Sequence, residues 1–341
     1  MPKYNSVLLQ KDKQFIYYLT LLFGSLLLSF VIFLSLSLGA ANTSLVTLWN
    51  ALFRYDESII SQKIIRQIRF PRVIGSVLIG GALAVAGAIM QGVTRNPLAD
   101  SGLLGLNAGA SLALAFCFGF MPNLPYVALL LFCFAGAGLG AFLVYGIGSL
   151  SHSGLTPLRL ILSGTAVSAL FASLSEAISL YKNSGQDLTF WYIGGISTIT
   201  WTNLRIITPF ILAAFICALF LRKSVTLISL GEETAISLGQ NITLIRLFSM
   251  VVVAVLAGSS VAIVGPIGFV GLLVPHITRT IVGNDYQKII PCSALLGSLL
   301  VVLADLAGRM INPPFETPIG VLISLIGIPF FLHLVRKRGV Y

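Results

Sequence analysis

Long runs of apolar residues, separated by short polar breaks, dominate the chain from end to end. Two of these runs, at 19–38 and 210–221, contain no charged residue. Runs of this kind are typical of helices that cross a bilayer, each of which needs roughly 20 apolar residues. A membrane barrel would instead show short segments of alternating polarity, and that pattern is absent from the sequence. The pattern therefore predicts an all-α, polytopic membrane protein.

The runs and breaks predict about ten transmembrane helices within one transmembrane domain, residues 1–341. The boundary between the seventh and eighth spans rests on Gly265, Pro266 and Gly268, which interrupt a longer apolar stretch. The first span has too long an apolar part for a cleaved signal peptide, and we expect it to be retained. The predicted spans are 15–38, 72–92, 103–120, 124–149, 158–180, 202–221, 243–264, 268–284, 289–308 and 318–335.

Composition supports this fold class and narrows the functions. Hydrophobic residues make up 57% of the chain and charged residues 9%, and the mean hydropathy is +0.97. The net charge of +10 is spread over the loops of a membrane protein, so it favours lipid and protein partners over nucleic acid. No GxxxxGK[ST] sequence occurs, and we therefore expect any ATP that drives this protein to be bound by another chain.

The cysteines and histidines do not indicate a metal site, a cofactor site or a catalytic centre. The four cysteines lie in or at the edge of apolar spans without CxxC spacing, so we expect them to be packing residues. The three histidines are scattered, and none has a second ligand at helical spacing. An intramembrane enzyme would need a nucleophile with its base, or a metal cluster, and the sequence suggests neither. We predict no cofactor, no metal and no enzymatic activity.

The basic residues predict the orientation of the chain in the membrane. With the N-terminus inside, thirteen of the 21 lysines and arginines fall in inner segments, which places both termini in the cytoplasm. The first outer loop is the exception to this rule, because five of the remaining basic residues crowd into it. They are Arg54, Lys63, Arg66, Arg69 and Arg72.

The last four of these residues recur at every third position, so on a helix they would form a slowly drifting basic stripe. Such a stripe suits an acidic protein partner. It equally suits an interfacial helix that lies against lipid phosphates. Spacing alone leaves both interpretations open.

Four stretches of sequence carry a resemblance to a known family. They are Arg-Phe-Pro-Arg at 69–72 with Gly80-Gly81 and Met90-Gln91; Asn-Pro-Leu-Ala-Asp at 96–100 with Gly102; Gly-Pro-Ile-Gly-Phe at 265–269 with Pro275-His276 and Arg279; and Ala304-Asp305 with Arg309, followed by Pro318-Ile319-Gly320. Taken in order, the stretches are similar to the FecCD-type permeases of binding-protein-dependent ABC importers for iron-siderophores, haem and cobalamin. Ser101 and the run 312–315 depart from the family pattern, in which the first is usually proline and the second has fewer prolines.

The resemblance implies the permease subunit of an importer in the bacterial cytoplasmic membrane. It implies a ten-helix chain of the type II architecture that pairs with a second permease subunit, the same or different, around a pathway. ABC ATPase subunits would bind on the cytoplasmic side and a siderophore-binding protein on the outer side. The function implied is import of a ferric siderophore, with cobalamin or haem as the alternative substrate. A carrier driven by an ion gradient is a hypothesis of a different class.

The resemblance also implies roles for particular residues. Arg69, Arg72 and Arg309 would dock glutamates of the binding protein. The cytoplasmic segment 229–239 resembles the region that couples to the ATPase, and its glycines could bracket a short helix with acidic residues at its N-terminus. An ordinary solvated loop is the alternative. The coupling residues are Gly231, Glu232, Glu233, Ala235, Leu238 and Gly239.

Two further predictions concern the pathway. Asn96, Leu98, Thr156 and Pro157 resemble positions at which the family closes its cytoplasmic gate. Glu176 lies within the fifth span, where a carboxylate is costly enough that it must face protein or water. It would either line the pathway or pair within the bundle.

Overall fold

The computed structural model describes residues 2–38, 44–100, 102, 105–149, 157–183, 185–186, 188, 195–313 and 315–338. Within these ranges the chain is helical and contains no strand. The helices are α1 Pro2–Ser37, α2 Leu45–Phe53, α3 Ile60–Ile64, α4 Phe70–Val93, α5 Leu106–Phe120, α6 Tyr126–Ser149, α7 Pro157–Lys182, α8 Trp201–Leu230, α9 Glu232–Ser237, α10 Ile242–Val264, α11 Val270–Val282, α12 Tyr286–Ile311 and α13 Ile319–Arg338.

Ten of these helices coincide with the ten predicted spans, which confirms the all-α fold class. Six described helical segments are long and apolar enough to cross a membrane, and three more are apolar but shorter. The six are Lys13–Ser37, Ile60–Val93, Tyr126–Gly148, Trp201–Leu230, Ile242–Val264 and Tyr286–Ile311. The shorter ones are α5, α11 and residues Ile319–Leu334 of α13.

The short helix α11 marks a turn inside the bundle. Its 13 residues extend over about 20 Å, which is less than the roughly 30 Å of a hydrocarbon core. The preceding turn at 265–269 lies against α5, where the Asn107 side-chain amide donates to the Ile267 carbonyl over 3.4 Å. Non-helical backbone at membrane depth is stable only where protein or a water-filled cavity surrounds it. The turn meets this condition because Ile267 is buried.

Helix α4 forms the centre of the molecule, with every residue from 79 to 93 buried. It contacts α12 and α11 at glycines, which allow backbones to approach closely. A Cβ atom placed on Gly80 would lie 2.3 Å from the Gly297 carbonyl oxygen, and one on Gly87 would lie 2.0 Å from that of Gly271. Helices α5 and α6 meet in the same way, because a Cβ atom placed on Gly109 would lie 2.0 Å from the Gly136 carbonyl oxygen. The apolar residues of α1, by contrast, are largely exposed, as a lipid-facing helix requires.

Hydrogen bonds at the ends of α8 define the two ends of the molecule. At its beginning, the Trp201 indole donates to the Arg66 carbonyl over 2.8 Å. Near its C-terminus, the Thr226 hydroxyl donates to the Asp285 carboxylate over 3.2 Å. We call the end of the molecule with the Trp201–Arg66 hydrogen bond the arginine end. We call the other end, with the Thr226–Asp285 hydrogen bond, the α9 end, because α9 follows α8 directly. Lys13 of α1 lies beside Gly283 at the α9 end. The chain just before α13 lies beside Gly308 near the arginine end, and Phe330 of α13 contacts His276 of α11, so α13 runs towards the α9 end.

Candidate functional site

Four charged side chains form a cluster at the arginine end. The Arg72 Nε donates to Asp305 Oδ1 and its Nη1 donates to Glu316 Oε1, each over 2.7 Å. Asp305 is fully buried, whereas the Glu316 side chain is 46% exposed. Arg309 Nη2 lies 3.1 Å from Asp305 Oδ2 one helical turn away, within ion-pair distance but not aligned for a hydrogen bond. The cluster joins α4, α12 and the segment before α13.

Two arginines of this end also hold the C-terminus of α1. Arg69 Nη1 donates to the Leu36 carbonyl over 2.8 Å and to that of Ser37 over 3.1 Å. Arg309 Nη1 donates to the carbonyls of Ser35 and Leu38 over 3.2 and 3.3 Å. The last carbonyls of a helix have no partner within the helix, and cations there are favoured by its dipole. These contacts therefore fasten α1 to α4 and α12.

The structure divides the basic stripe that the sequence predicts. Helix α3 continues into α4 through a π-helical turn at Ile65–Arg69. Lys63 and Arg66 are exposed, and the Arg66 guanidinium lies 4.5 Å from the centre of the Tyr55 ring. Arg69 and Arg72 point into the bundle and are only 5% and 7% exposed. Sequence spacing could not distinguish the two pairs, because the acceptors of the buried pair come from distant parts of the chain.

The predicted docking residues Arg69, Arg72 and Arg309 thus lie together, and each has a partner within the chain. Sequence analysis missed Glu316 as a member of this cluster. The signal that could have found it is the Glu-x-Pro-x-Gly run at 316–320, which brings a carboxylate close to the Ala-Asp motif once α12 and α13 form a hairpin.

The coupling segment forms the predicted short helix, α9, between Gly231 at φ 139° and Gly239 at φ 77°. Ala235 is fully buried in a small apolar cluster with Ile228 and Ile245, so it anchors α9 to α8 and α10. Ile236 and Leu238 are 61% and 57% exposed. The helix therefore presents two apolar side chains to the outside.

The two glutamates at the start of α9 have different surroundings. Glu232 accepts a hydrogen bond from Arg246 Nη2 and lies 3.6 Å from Arg95 Nη2. Glu233 is exposed. Of the acidic pair, Glu232 thus holds α9 against α10 and the end of α4, and Glu233 belongs to the outer surface of the segment.

The gate candidates lie partly outside the described residues. Asn96 is buried, and its side-chain oxygen accepts from the Leu98 backbone N–H over 3.0 Å, which fixes the turn that follows α4. Leu98 is half-buried. Thr156 lies outside the described residues; Pro157 begins α7, and its side chain is not described. The structure therefore places two of the four candidates and does not relate them to the other two.

A second set of contacts that sequence analysis missed lies beside this turn. Arg279 Nη2 donates to Gln91 Oε1 over 2.8 Å and to the Tyr286 hydroxyl over 3.1 Å. Gln91 in turn donates to the Gly271 carbonyl over 3.1 Å. A cavity of about 220 Å³ is bordered by Gln91, Arg95 and Arg279. Met90-Gln91 and Arg279 were noticed in the sequence only as parts of motifs.

A cavity of about 760 Å³ lies among α5, α7 and the turn before α11. It follows α7 from Ser168 to Leu180, a length of about 18 Å. Gly102, Pro266 and Gly268 border its other end. Its polar lining residues are Asn107, Ser111, Ser168, Ser175, Glu176 and Ser179.

Glu176 borders this cavity and has no ion-pair or hydrogen-bond partner among the described residues. Its side chain is exposed on the wall of this cavity. Three more side-chain oxygens of the lining, on Asn107, Ser111 and Ser168, are buried and lack a hydrogen-bond partner in the described part of the chain. A buried oxygen without a partner is costly, so this wall suits water or a polar solute.

Comparison with known proteins agrees with this architecture. The profile of the FecCD transport family matches residues 27–337. The iron(3+)-hydroxamate import system permease protein FhuB of Bacillus subtilis is 47% identical over 94% of this chain and 83% of its own length. The iron-uptake system permease FeuB of the same organism is 43% identical over 90% and 92%, and the ferric enterobactin permease FepD of Escherichia coli 39% over 81% and 82%.

A solved structure has the same fold. It is described as an inward-facing conformation of a putative metal-chelate type ABC transporter, and it aligns with a TM-score of 0.75 at 30% identity. The alignment covers 93% of this chain and 98% of that one. These similarities confirm the family that the four sequence stretches predict: the chain belongs to the FecCD transport family, whose members are permease subunits.

Proposed function

We propose that this chain is the permease subunit of an ABC importer that moves a ferric siderophore across the bacterial cytoplasmic membrane. The observation that carries the proposal is a cavity of about 760 Å³, with six polar residues in its lining, in a chain with apolar helices. A cavity of this size is large enough for a bulky solute. The names of the relatives indicate the kind of solute, because they concern iron held by hydroxamate, citrate or enterobactin.

The partners follow from the family. An ABC importer needs ATPase subunits, a substrate-binding protein and a second permease subunit. We assign the ATPase contact to the surface of α9 formed by Glu233, Ile236 and Leu238, which are exposed. With α9 in the cytoplasm, both termini lie on that side too, because α1 and α13 have their terminal ends at the α9 end.

We assign the binding protein to the arginine end, where the proposed docking residues Arg69, Arg72 and Arg309 are. Because these arginines already have partners within the chain, docking must replace one of those partners. Glu316 is the partner to be exchanged, since it is the only partly exposed acid that contacts Arg72 in the described chain. A carboxylate of the binding protein would replace Glu316 at Arg72, while Asp305 stays buried.

We assign the cytoplasmic gate to the turn of Asn96 and Leu98 together with Thr156 and Pro157. Support comes from position: the turn follows the end of α4, and the chain leads from it through Gly102 to the border of the cavity. A rigid turn at this point would transmit movement of the α9 end to the cavity.

The test is uptake into sealed vesicles. We expect the complex with its ATPase and loaded binding protein to accumulate a ferric siderophore when ATP is enclosed, and the subunit alone to accumulate none. An imposed proton or sodium gradient should not replace ATP. Gradient-driven uptake by the isolated subunit would overturn the proposal. ATP-dependent uptake of cobalamin or haem, with no uptake of any ferric siderophore, would show that the substrate is cobalamin or haem instead.

A further inference from the structure

The charge of the described lining of the large cavity comes from one side chain. Among the described residues that line it, Glu176 is the only ionisable one, and neither lysine nor arginine borders it. No described cation forms an ion pair with the carboxylate of Glu176, since the ion pairs found among the described residues all lie elsewhere. A cavity with walls of low dielectric and charge of one sign attracts solutes of the opposite sign and repels those of the same sign.

The rest of the described lining adds hydrogen-bonding groups but no charge. Asn107 and Ser111 are 6% and 9% exposed, and an oxygen of each lacks a hydrogen-bond partner in the described chain. The hydroxyls of Ser168 and Ser179 border the same space. Hydroxyl and amide groups can bond a hydrated chelate of any charge. Discrimination by charge therefore depends on Glu176.

We propose that Glu176 is a specificity-determining residue that makes the pathway favour neutral and cationic ferric chelates, of the hydroxamate class, over anionic ones. In a two-subunit permease two such carboxylates would face one pathway when the subunits are alike. Like charges brought together disfavour the wrong ligand, so an anionic chelate would enter slowly even when the binding protein delivers it. This inference rests on the proposed function, because it names the class of chelate that the same cavity passes.

The experiment uses three chelates that share one iron centre and differ in charge. They are ferrioxamine B, which carries an ammonium group, and its N-acetyl and N-succinyl derivatives, which are neutral and anionic. ATP-driven uptake by the whole complex is measured for wild type, for Glu176→Gln, for Ser179→Ala as a neutral change in the same wall, and for Glu57→Gln, an exposed glutamate outside the cavity. Comparing variants with one binding protein cancels that protein's own preference.

We expect Glu176→Gln to raise the ratio of anionic to cationic uptake about threefold to tenfold. Ser179→Ala and Glu57→Gln should leave the ratio unchanged. An unchanged ratio in an assembled Glu176→Gln complex would overturn the inference. A loss of subunit assembly, with an unchanged uptake ratio in the complexes that still assemble, would also overturn the inference, because it would make Glu176 a contact between subunits. Absence of uptake of every ferric chelate by the wild type would instead refute the proposed function, so the two failures are distinct.

Discussion

At the scale of single residues, the arginine end shows how burial changes the meaning of a charge. Arg72 and Asp305 are almost completely buried and joined by a short charge-assisted hydrogen bond. Removal of one member of a buried pair leaves the other charge without compensation, which is strongly destabilising. Glu316 contacts the same arginine at the surface, where water competes with the ion pair. The two carboxylates should therefore respond differently to neutralisation.

We expect Asp305→Asn to destabilise the protein by about 3–5 kcal/mol and Glu316→Gln by less than about 1 kcal/mol, measured as thermal unfolding in detergent. Glu316→Gln should also tighten docking of the binding protein about threefold to tenfold at low salt, because Arg72 loses a competing partner. Arg66→Gln removes an exposed charge at the same end and is the control for a general effect of net charge on docking. Weaker or unchanged docking by Glu316→Gln would contradict the exchange of carboxylates at Arg72.

At the scale of helices, contacts between backbones determine which glycines matter. Glycines 136, 138 and 140 of α6 are two residues apart, and spacing alone does not say which of them face a neighbour. In the structure Gly136 meets Gly109 of α5 and Gly140 meets Gly105, whereas nothing lies within 4 Å of a Cβ atom placed on Gly138. Two of the three glycines therefore pack directly against a neighbouring backbone.

Gly136→Ala is expected to cost about 1–3 kcal/mol, since the new methyl group would lie 2.3 Å from the Gly109 carbonyl oxygen and α5 and α6 would have to separate. Gly138→Ala, two residues away in the same helix, should change stability by less than about 0.5 kcal/mol. Unfolding of both variants in one detergent gives the comparison. Equal losses of stability would show that helix propensity, and not contact between α5 and α6, determines the effect of both substitutions.

Helix α9 offers a second prediction at this scale. Ile236 is exposed and Ala235, its neighbour, is fully buried. Ile236→Asp should reduce ATP-driven transport about tenfold while the subunit stays folded, because it removes an apolar contact with the ATPase. Ala235→Leu should instead lower the unfolding temperature, because the larger side chain cannot fit between Ile228 and Ile245. Full transport by a folded Ile236→Asp variant would exclude this surface from coupling.

At the scale of the whole molecule, the two ends of the bundle carry the surfaces that we propose for different partners. The cluster of Arg72, Asp305 and Glu316 lies at one end and α9 at the other, and helices of the length of α8, about 45 Å, connect them. The vesicle experiment tests this arrangement, because import requires events at both ends to reach the cavity. A ligand shifts such a system only if it binds one state more tightly than the other. Exchange of Glu316 at Arg72 would supply such a difference on the outer side.

The fold class, the positions of the apolar helices and the family could be predicted from the sequence, because these depend on local features. Apolar length predicts a membrane helix wherever it lies in the fold, and the motifs keep their order along the chain. The sequence also predicted α9, since Gly231 and Gly239 stop a helix locally. The i,i+4 contact of Asp305 with Arg309 was predictable for the same reason.

The exposure of the charged side chains and the position of the cavity depend instead on how the helices pack. Arg72 and Glu316 are far apart in sequence, so no spacing rule could pair them, and burial of Arg69 depends on the end of α1. The turn at 265–269 was recognised as a break in an apolar run, but its position inside the bundle depends on α5. The wall that contains Glu176 is likewise assembled from α5, α7 and that turn. Periodicity describes one helix at a time, whereas a site made by several helices exists only after they pack.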